Sequence, residues 1–255
     1  MGEIKDIFQP SSQSWSDHAK KGELRSVIDP NDLLGNKNTY IDILQKISIG
    51  SILDKNRIEN VVVDFGCGSG RITMFLSHFA NRVIGMDITR EMIDIARTIN
   101  KRENIEYILI NGMNIPVSDG SVDLVVTVGV LQYIAKKRDV YEQIIREIRR
   151  ILKPSGKILF IEQASFSNKK SSSLREVVAT RDYLDVLDKY FFIEKIHPVR
   201  TGGNGLIDTI LYHRYFPTML YPLIARIALW KTARYGEAKL ATHPYVDYLF
   251  YGRAI

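Results

Sequence analysis

Val61-Val62-Val63-Asp64-Phe65-Gly66-Cys67-Gly68-Ser69-Gly70-Arg71 runs from an apolar segment of strand length into three alternating glycines and then into a helical pattern. A strand that is apolar on successive positions is buried on both faces, as the central strands of a parallel sheet are. In the turn that follows, glycine permits positive φ and lets a ligand approach backbone where a side chain would collide. The stretch therefore predicts a strand-turn-helix unit whose turn receives a nucleoside-sized ligand.

Its details discriminate among such ligands. Counted from Gly66, the dinucleotide fingerprint would need its last small residue where Arg71 stands, so that reading fails. A phosphate-cradling P-loop fails as well, because no Gly-Lys-Ser/Thr follows. Asp64 at the strand end would repel a phosphate, yet it can accept hydrogen bonds from a cationic amino-acid group. A ligand with an ammonium group and no phosphate fits both conditions.

Outward from this unit, strand-length apolar runs alternate with segments of helical period as far as Ile161, the pattern of βαβ units. Strands are predicted at Val61–Phe65, Arg82–Met86, Ile105–Ile110, Leu124–Val128 and Lys157–Ile161, and later at Phe191–Ile196 and Tyr245–Gly252. Ile72, Phe75, Leu76 and Phe79 mark the inner face of one helix; Met92, Ile95, Ala96 and Ile99 mark that of the next, with Thr89 as its expected N-cap. A third helix opens at Asp139, runs through Ile144, Ile145, Ile148 and Leu152, and should stop in a turn at Lys153-Pro154-Ser155-Gly156. The fold class is α/β, a doubly wound and mostly parallel sheet. Residues 1–57, with Tyr40, Ile43, Leu44 and Ile47 in helical register, read as an N-terminal helical cap; 58–200 form the core; 201–243 are an insertion; 244–255 supply the final strand. Serines and lysines in 163–179 read as a mobile loop leading into a helix.

With Asp64 ahead of Gly66, Gly68 and Gly70, the chain resembles class I S-adenosylmethionine-dependent methyltransferases, in the broad small-molecule branch with an Asp-x-Gly-x-Gly-x-Gly first motif. The resemblance covers Val61 to Ile161. It implies a seven-stranded Rossmann-like sheet, S-adenosyl-L-methionine as cofactor and S-adenosyl-L-homocysteine as product. It also implies that the Phe65-Gly66-Cys67-Gly68-Ser69-Gly70 loop passes under the methionine part, which Asp64 helps to organise. Asp87, at the end of the second strand, can accept bonds from both ribose hydroxyls. Ile88 would lie against the adenine ring. Asn111 stands where the family usually has an acid for the adenine amino group, and its amide oxygen can still accept that bond. Gly112 and Met113 would contact adenine, and Val128-Gly129 would meet the sulfonium end. Gln132 and Tyr133 replace the paired histidines often found after strand four, which removes a His base there.

Composition narrows the partners. With 255 residues and 45% hydrophobic content, the chain suits one substantial core. The net charge of +6 favours anionic partners in general. Much of the surplus, Lys136, Lys137, Arg138, Arg146, Arg149, Arg150 and Lys153, lies around one amphipathic helix, where a solvated face explains it before a nucleic-acid footprint does. Cys67 is the single cysteine, so no intrachain disulfide or multi-cysteine metal site is expected. No apolar leader follows Met1, and Asp6 stands where a myristoylation signal wants Ser or Thr; the expectation is a cytoplasmic protein without a membrane span.

Methyl transfer from a sulfonium needs an in-line nucleophile, and it needs little acid-base help when that nucleophile is already basic or anionic. Were a base required, Glu162, His197 and His213 are the candidates. No Asn or Asp followed by Pro-Pro and an aromatic stands after strand four, and the lone cysteine sits in the glycine loop, so nucleic-acid acceptors are disfavoured. A small-molecule, saccharide-derived or lipid-linked acceptor is left. Leu24–Asp32 and Lys37–Asp42 resemble the N-terminal portion of uncharacterised methyltransferases associated with cell-surface saccharide pathways. The insertion, with Leu220, Leu223, Ile224, Ile227, Ala228 and Trp230 in helical spacing, is expected to form a lid closed from the other side near Tyr40. Shallow membrane-surface contact stays open for it, and a non-catalytic cofactor-binding protein is the competing class. Nothing in the sequence specifies the oligomeric state.

Overall fold

The computed structural model describes residues 15–53, 59–135, 137–165, 178–202 and 217–255. Seven strands are β1 (Glu59–Phe65), β2 (Ala80–Asp87), β3 (Ile105–Leu109), β4 (Val122–Val128), β5 (Leu152–Ala164), β6 (Phe191–Thr201) and β7 (Val246–Ala254). They form one sheet in the order β3-β2-β1-β4-β5-β7-β6. Pairing is parallel from β3 across to β5, while β7 runs antiparallel to both β5 and β6. The chain winds outward in opposite directions from β1 and β4, so these two strands flank a topological switch point, where open α/β sheets bind ligands at their carboxyl ends.

The apolar run in β1 is continuous because both faces of the strand are covered. Val63 packs with Ile84, Val125 and Ile158 on one face, and Val62 packs with Val83, Leu124, Val126 and Leu159 on the other. The helices around the sheet include α1 (Glu23–Val27), α2 (Asn36–Gly50), α3 (Arg71–Leu76), α4 (Arg90–Ile99), α5 (Leu131–Ile134), α6 (Arg138–Ile151), α7 (Thr180–Leu187), α8 (Tyr221–Thr232) and α9 (Glu237–Leu240). Tyr141, Ile144, Ile145 and Ile148 of α6 and Tyr183 and Val186 of α7 cover the first face. Tyr40 and Leu44 of α2, Ile72 and Leu76 of α3, and Tyr221 and Ala225 of α8 cover the second. Each fully buried Leu, Ile or Val side chain contributes roughly 1.5–3 kcal/mol, and such burial is the main term holding the helices to the sheet.

Three local expectations need correction. Thr89 does occupy the N-cap position of α4, but its hydroxyl makes no capping bond; the Asp87 carboxylate accepts the Thr89 N–H instead, at 2.8 Å. The turn at Lys153–Gly156 is absorbed into β5, which starts at Leu152 and accommodates the extra residues by a register shift against β4 between Val122 and Leu124. In α8 the expected apolar face divides: Tyr221, Ala225 and partly Ile224 and Ala228 turn to the sheet, whereas Leu220, Leu223, Ile227 and Trp230 are exposed. Of the serine- and lysine-rich stretch, 166–177 lie outside the described residues.

The cap is fastened by polar bonds as well as by packing. Arg71, the residue that breaks the dinucleotide fingerprint, is 6% exposed and donates to Asp42 at 2.8 Å and Gln45 at 2.7 Å on α2. Such a charge-assisted pair fixes orientation more than it adds net stability, because desolvation offsets much of its attraction.

Candidate functional site

A cavity of about 190 Å³ opens at the carboxyl ends of β1, β2 and β4. The loop after β1 supplies Phe65, Gly66 and Gly68; the end of β2 supplies Asp87, Ile88 and Thr89; the loop after β4 supplies Val128, Gly129 and Val130. Met92, Ile110 and Gly112 continue the wall, and Trp15, Val27, Tyr133, Ile134, Lys137 and Val140 close its outer part.

Two glycines make this shape. Gly66 has φ 75° and a Cβ there would lie 2.4 Å from Val130; Gly68 has φ 53° and a Cβ would lie 2.5 Å from Val27. Both positions therefore demand glycine by conformation and by space. They let the loop pass beneath the cavity without filling it.

Asp87 joins the two sides of the cleft. Its Oδ2 accepts the Gly68 N–H at 2.9 Å and its Oδ1 accepts the Thr89 N–H at 2.8 Å. Burial raises its pKa, while those backbone donors act to hold it ionised. Each carboxylate oxygen keeps acceptor capacity toward the cavity, so a vicinal diol could bond to both. Next to it, the buried Thr89 hydroxyl makes no hydrogen bond of good geometry with any described residue. A buried polar group left in that condition is costly unless a ligand completes it.

Other expected site residues stand behind the wall. Asp64 is buried and accepts the Thr73 hydroxyl at 2.6 Å, and burial pushes its pKa from 3.8 to about 6. Cys67 packs with Ile93, Ala96 and Tyr107, and burial pushes its thiol pKa up, leaving it protonated. Gly70 ends the loop as the residue before α3, and neither it, Asp64 nor Cys67 lines the cavity. Asn111 is exposed; its side-chain oxygen accepts from the N–H groups of Met113 and Asn114 at 3.2 and 3.1 Å, shaping the turn that presents Gly112. Met113 is buried outside the cavity wall.

The candidate bases are not brought together. Glu162 is 1% exposed; its Oε1 accepts from the Thr127 hydroxyl at 2.8 Å and the Val130 N–H at 3.1 Å, and its Oε2 accepts from the Gln132 N–H at 3.1 Å. Burial raises its pKa from 4.5 to about 7. It braces the loop that carries Gly129 and Val130 from beneath. His197 lies on the edge strand β6 opposite Leu249, away from the cavity wall, with its pKa lowered first by burial and then by Lys195. His213 lies outside the described residues. No group of metal-ligating side chains occurs among the described residues.

Sequence reasoning missed Trp15, Val27, Val130, Ile134 and Val140. Only Trp15 carried a usable signal, a large aromatic in a polar stretch; its ring meets Tyr133 edge-on at 5.4 Å. The basic cluster is largely neutralised within the fold. Arg138 pairs with Asp185, Arg146 with Glu142, Arg150 with Asp119 and Glu147, and Lys153 with Asp123. Lys137 is the cation of that group that lines the cavity, and Lys136 lies outside the described residues.

Residues 63–160 match the family model described as a methyltransferase domain. Over 107 residues the chain is 37% identical to a demethylmenaquinone methyltransferase of Lactococcus lactis subsp. lactis, a match covering 40% of this chain and 41% of that relative. Over 158 residues it is 25% identical to a malonyl-[acyl-carrier protein] O-methyltransferase of Hamiltonella defensa, covering 62% and 58%. The matched stretches thus span less than two thirds of these curated relatives. Among solved structures, geranyl diphosphate C-methyltransferase from Streptomyces coelicolor, crystallised with Mg2+, geranyl diphosphate and S-adenosyl-L-homocysteine, superposes with a TM-score of 0.63 at 15% identity, covering 100% of this chain and 99% of that one. The fold is therefore shared well beyond the matched segment, and residues 63–160 are similar to the methyltransferase-domain family.

Proposed function

We propose that the protein is an S-adenosylmethionine-dependent methyltransferase acting on a small-molecule or lipid-linked acceptor with an apolar body, a saccharide-derived headgroup being compatible with this. The observation that carries the cofactor assignment is the Asp87 carboxylate, bonded to the Gly68 and Thr89 N–H groups at the switch point and open to a diol. The space kept clear by Gly66 and Gly68 fits the same ligand. Phe65, Ile88, Met92 and Ile110 offer apolar surface for a purine.

When bound, the cofactor supplies an electrophilic methyl group on a sulfonium. The chain holds the ribose through Asp87, sets the loop after β4 through Glu162, and encloses the acceptor side with Trp15, Val130, Tyr133 and Ile134. Among the described residues, neither His nor Glu lines the cavity. Rate enhancement by orientation and water exclusion is consistent with that wall, since a well-placed near-attack pair can account for about 7–11 kcal/mol of a barrier. Such positioning suffices for an acceptor nucleophile that is already basic or anionic. Relatives whose names refer to menaquinone and acyl-carrier substrates favour this small-molecule class over nucleic acid.

Incubation of cell extract with methyl-labelled S-adenosylmethionine and the purified protein, followed by mass identification of the labelled product, tests the reading. A labelled small or lipid-soluble product is expected. Tight cofactor binding with no transfer to any extract component would instead favour a non-catalytic binding protein.

A further inference from the structure

The insertion leaves and rejoins the sheet at its carboxyl edge, where the Gly202 N–H donates to the Tyr245 carbonyl at 2.7 Å. That is the edge on which the cavity opens. Helix α8 is anchored there against α2, with Tyr221 and Ala225 fully buried and the Tyr40 and Tyr221 rings 6.0 Å apart. The outward face also carries large apolar side chains. Met219 is 83% exposed, Leu223 58%, Ile227 53% and Trp230 60%, and their spacing of three to four residues aligns them along one side.

A row of exposed large apolar side chains on a helix already fixed to its core marks an interaction surface. Its charge identifies the partner. From Pro217 to Arg234 the chain carries Arg226, Lys231 and Arg234 and no acidic residue. All three cations are exposed, and among the described residues none is in an ion pair. The Arg234 guanidinium lies 3.8 Å from the Trp230 ring centroid, pairing a cation with an amphipathic aromatic. No helix among the described residues is long and apolar enough to cross a membrane.

We infer that α8 is a docking element for an anionic membrane surface, lying in the interface with Met219, Leu223, Ile227 and Trp230 inserted and the three cations at headgroup level. Apolar insertion supplies affinity, cations near anionic headgroups add to it, and tryptophan favours the boundary region. The docked helix turns the carboxyl edge of the sheet toward lipid. Only this last consequence, delivery of a lipid-linked acceptor to the cavity, rests on the proposed methyltransferase function.

Cosedimentation with phosphatidylcholine vesicles, with and without phosphatidylglycerol, tests the docking without any assay of methyl transfer. Binding is expected only when the anionic lipid is present, and it should weaken as salt rises. Replacing Arg226, Lys231 and Arg234 by Gln should lower partitioning by about one hundred-fold, from roughly five-fold per cation. Leu223→Ser with Trp230→Ser should abolish it while leaving the thermal transition in place, because both side chains are exposed. Absence of vesicle binding, binding indifferent to these substitutions, or a stable dimer or acidic protein complex that shields Trp230 in place of lipid would overturn the inference.

Discussion

Two regions at the carboxyl edge of the sheet are held by opposite means. The loops after β1 and β2 are set by backbone groups: two glycines at positive φ, and N–H donors from Gly68 and Thr89 converging on one carboxylate. Helix α8, after β6, is set by side-chain packing of Tyr221 and Ala225, and the Gly202 N–H donates to the Tyr245 carbonyl where its segment leaves the sheet. Backbone geometry restricts residue type tightly, because only glycine tolerates those conformations and approaches. Apolar packing accepts many residues of similar volume. The first region consequently carries a recognisable motif, and the second carries only an apolar pattern.

The largest contrast should come from Gly66→Val. A branched side chain there meets Val130 and forces a strained φ, so about 1–3 kcal/mol of stability should be lost and cofactor binding should fall by more than about one hundred-fold. Calorimetric titration alongside a melting curve reads both effects. Asp87→Ala removes a charged acceptor, so affinity for S-adenosylmethionine should fall about ten-fold to more than one hundred-fold, or roughly 1.5–3 kcal/mol. Unchanged affinity in the folded variant would place the ribose elsewhere.

Glu162 sharpens the comparison through pH. Its carboxyl is held protonated up to about 7 in the fold but ionises near 4.5 when unfolded. The folded state therefore binds more protons between those values, and stability falls as pH rises through that window. Glu162→Gln should remove on the order of 3 kcal/mol of that decline, seen as a flatter plot of melting temperature against pH; Asp64, raised to about 6, should leave a residual slope. An unaltered slope would mean that Glu162 is ionised in the fold. The smallest effect is expected from Leu223→Ser, which should change stability by about 0.5 kcal/mol or less and leave cofactor affinity unaltered.

These differences explain what could be read in advance. The alternation of apolar runs with helical periods located the central strands, because doubly covered strands must be apolar throughout, whereas the edge strand β6 is continuously apolar only at its Phe191–Ile193 start and the polar beginning of β5 was read as a turn. Gly66, Gly68 and Asp87 were legible as a glycine turn and a strand-end acid because backbone geometry constrains all three. Asp64 and Cys67 belong to the same motif but serve beneath it, one held by Thr73 and the other packed against Tyr107; sequence spacing cannot separate a wall from its support. Trp15 and Val27 reach the cavity from far upstream in the chain, through a cap whose register is set partly by the buried bonds of Arg71 to Asp42 and Gln45. The inward and outward sides of α8 were hard to tell apart because Leu223, Ile227 and Trp230 stand outward beside Arg226 and Lys231, so apolar periodicity alone could not orient the helix.

The most direct test of the central claim is calorimetric titration of the purified protein with S-adenosylmethionine, S-adenosylhomocysteine and NAD under the same conditions. Saturable binding of the first two, lost on Asp87→Ala, with none by NAD at comparable concentration, is the expected result; tighter binding of NAD than of either would contradict it.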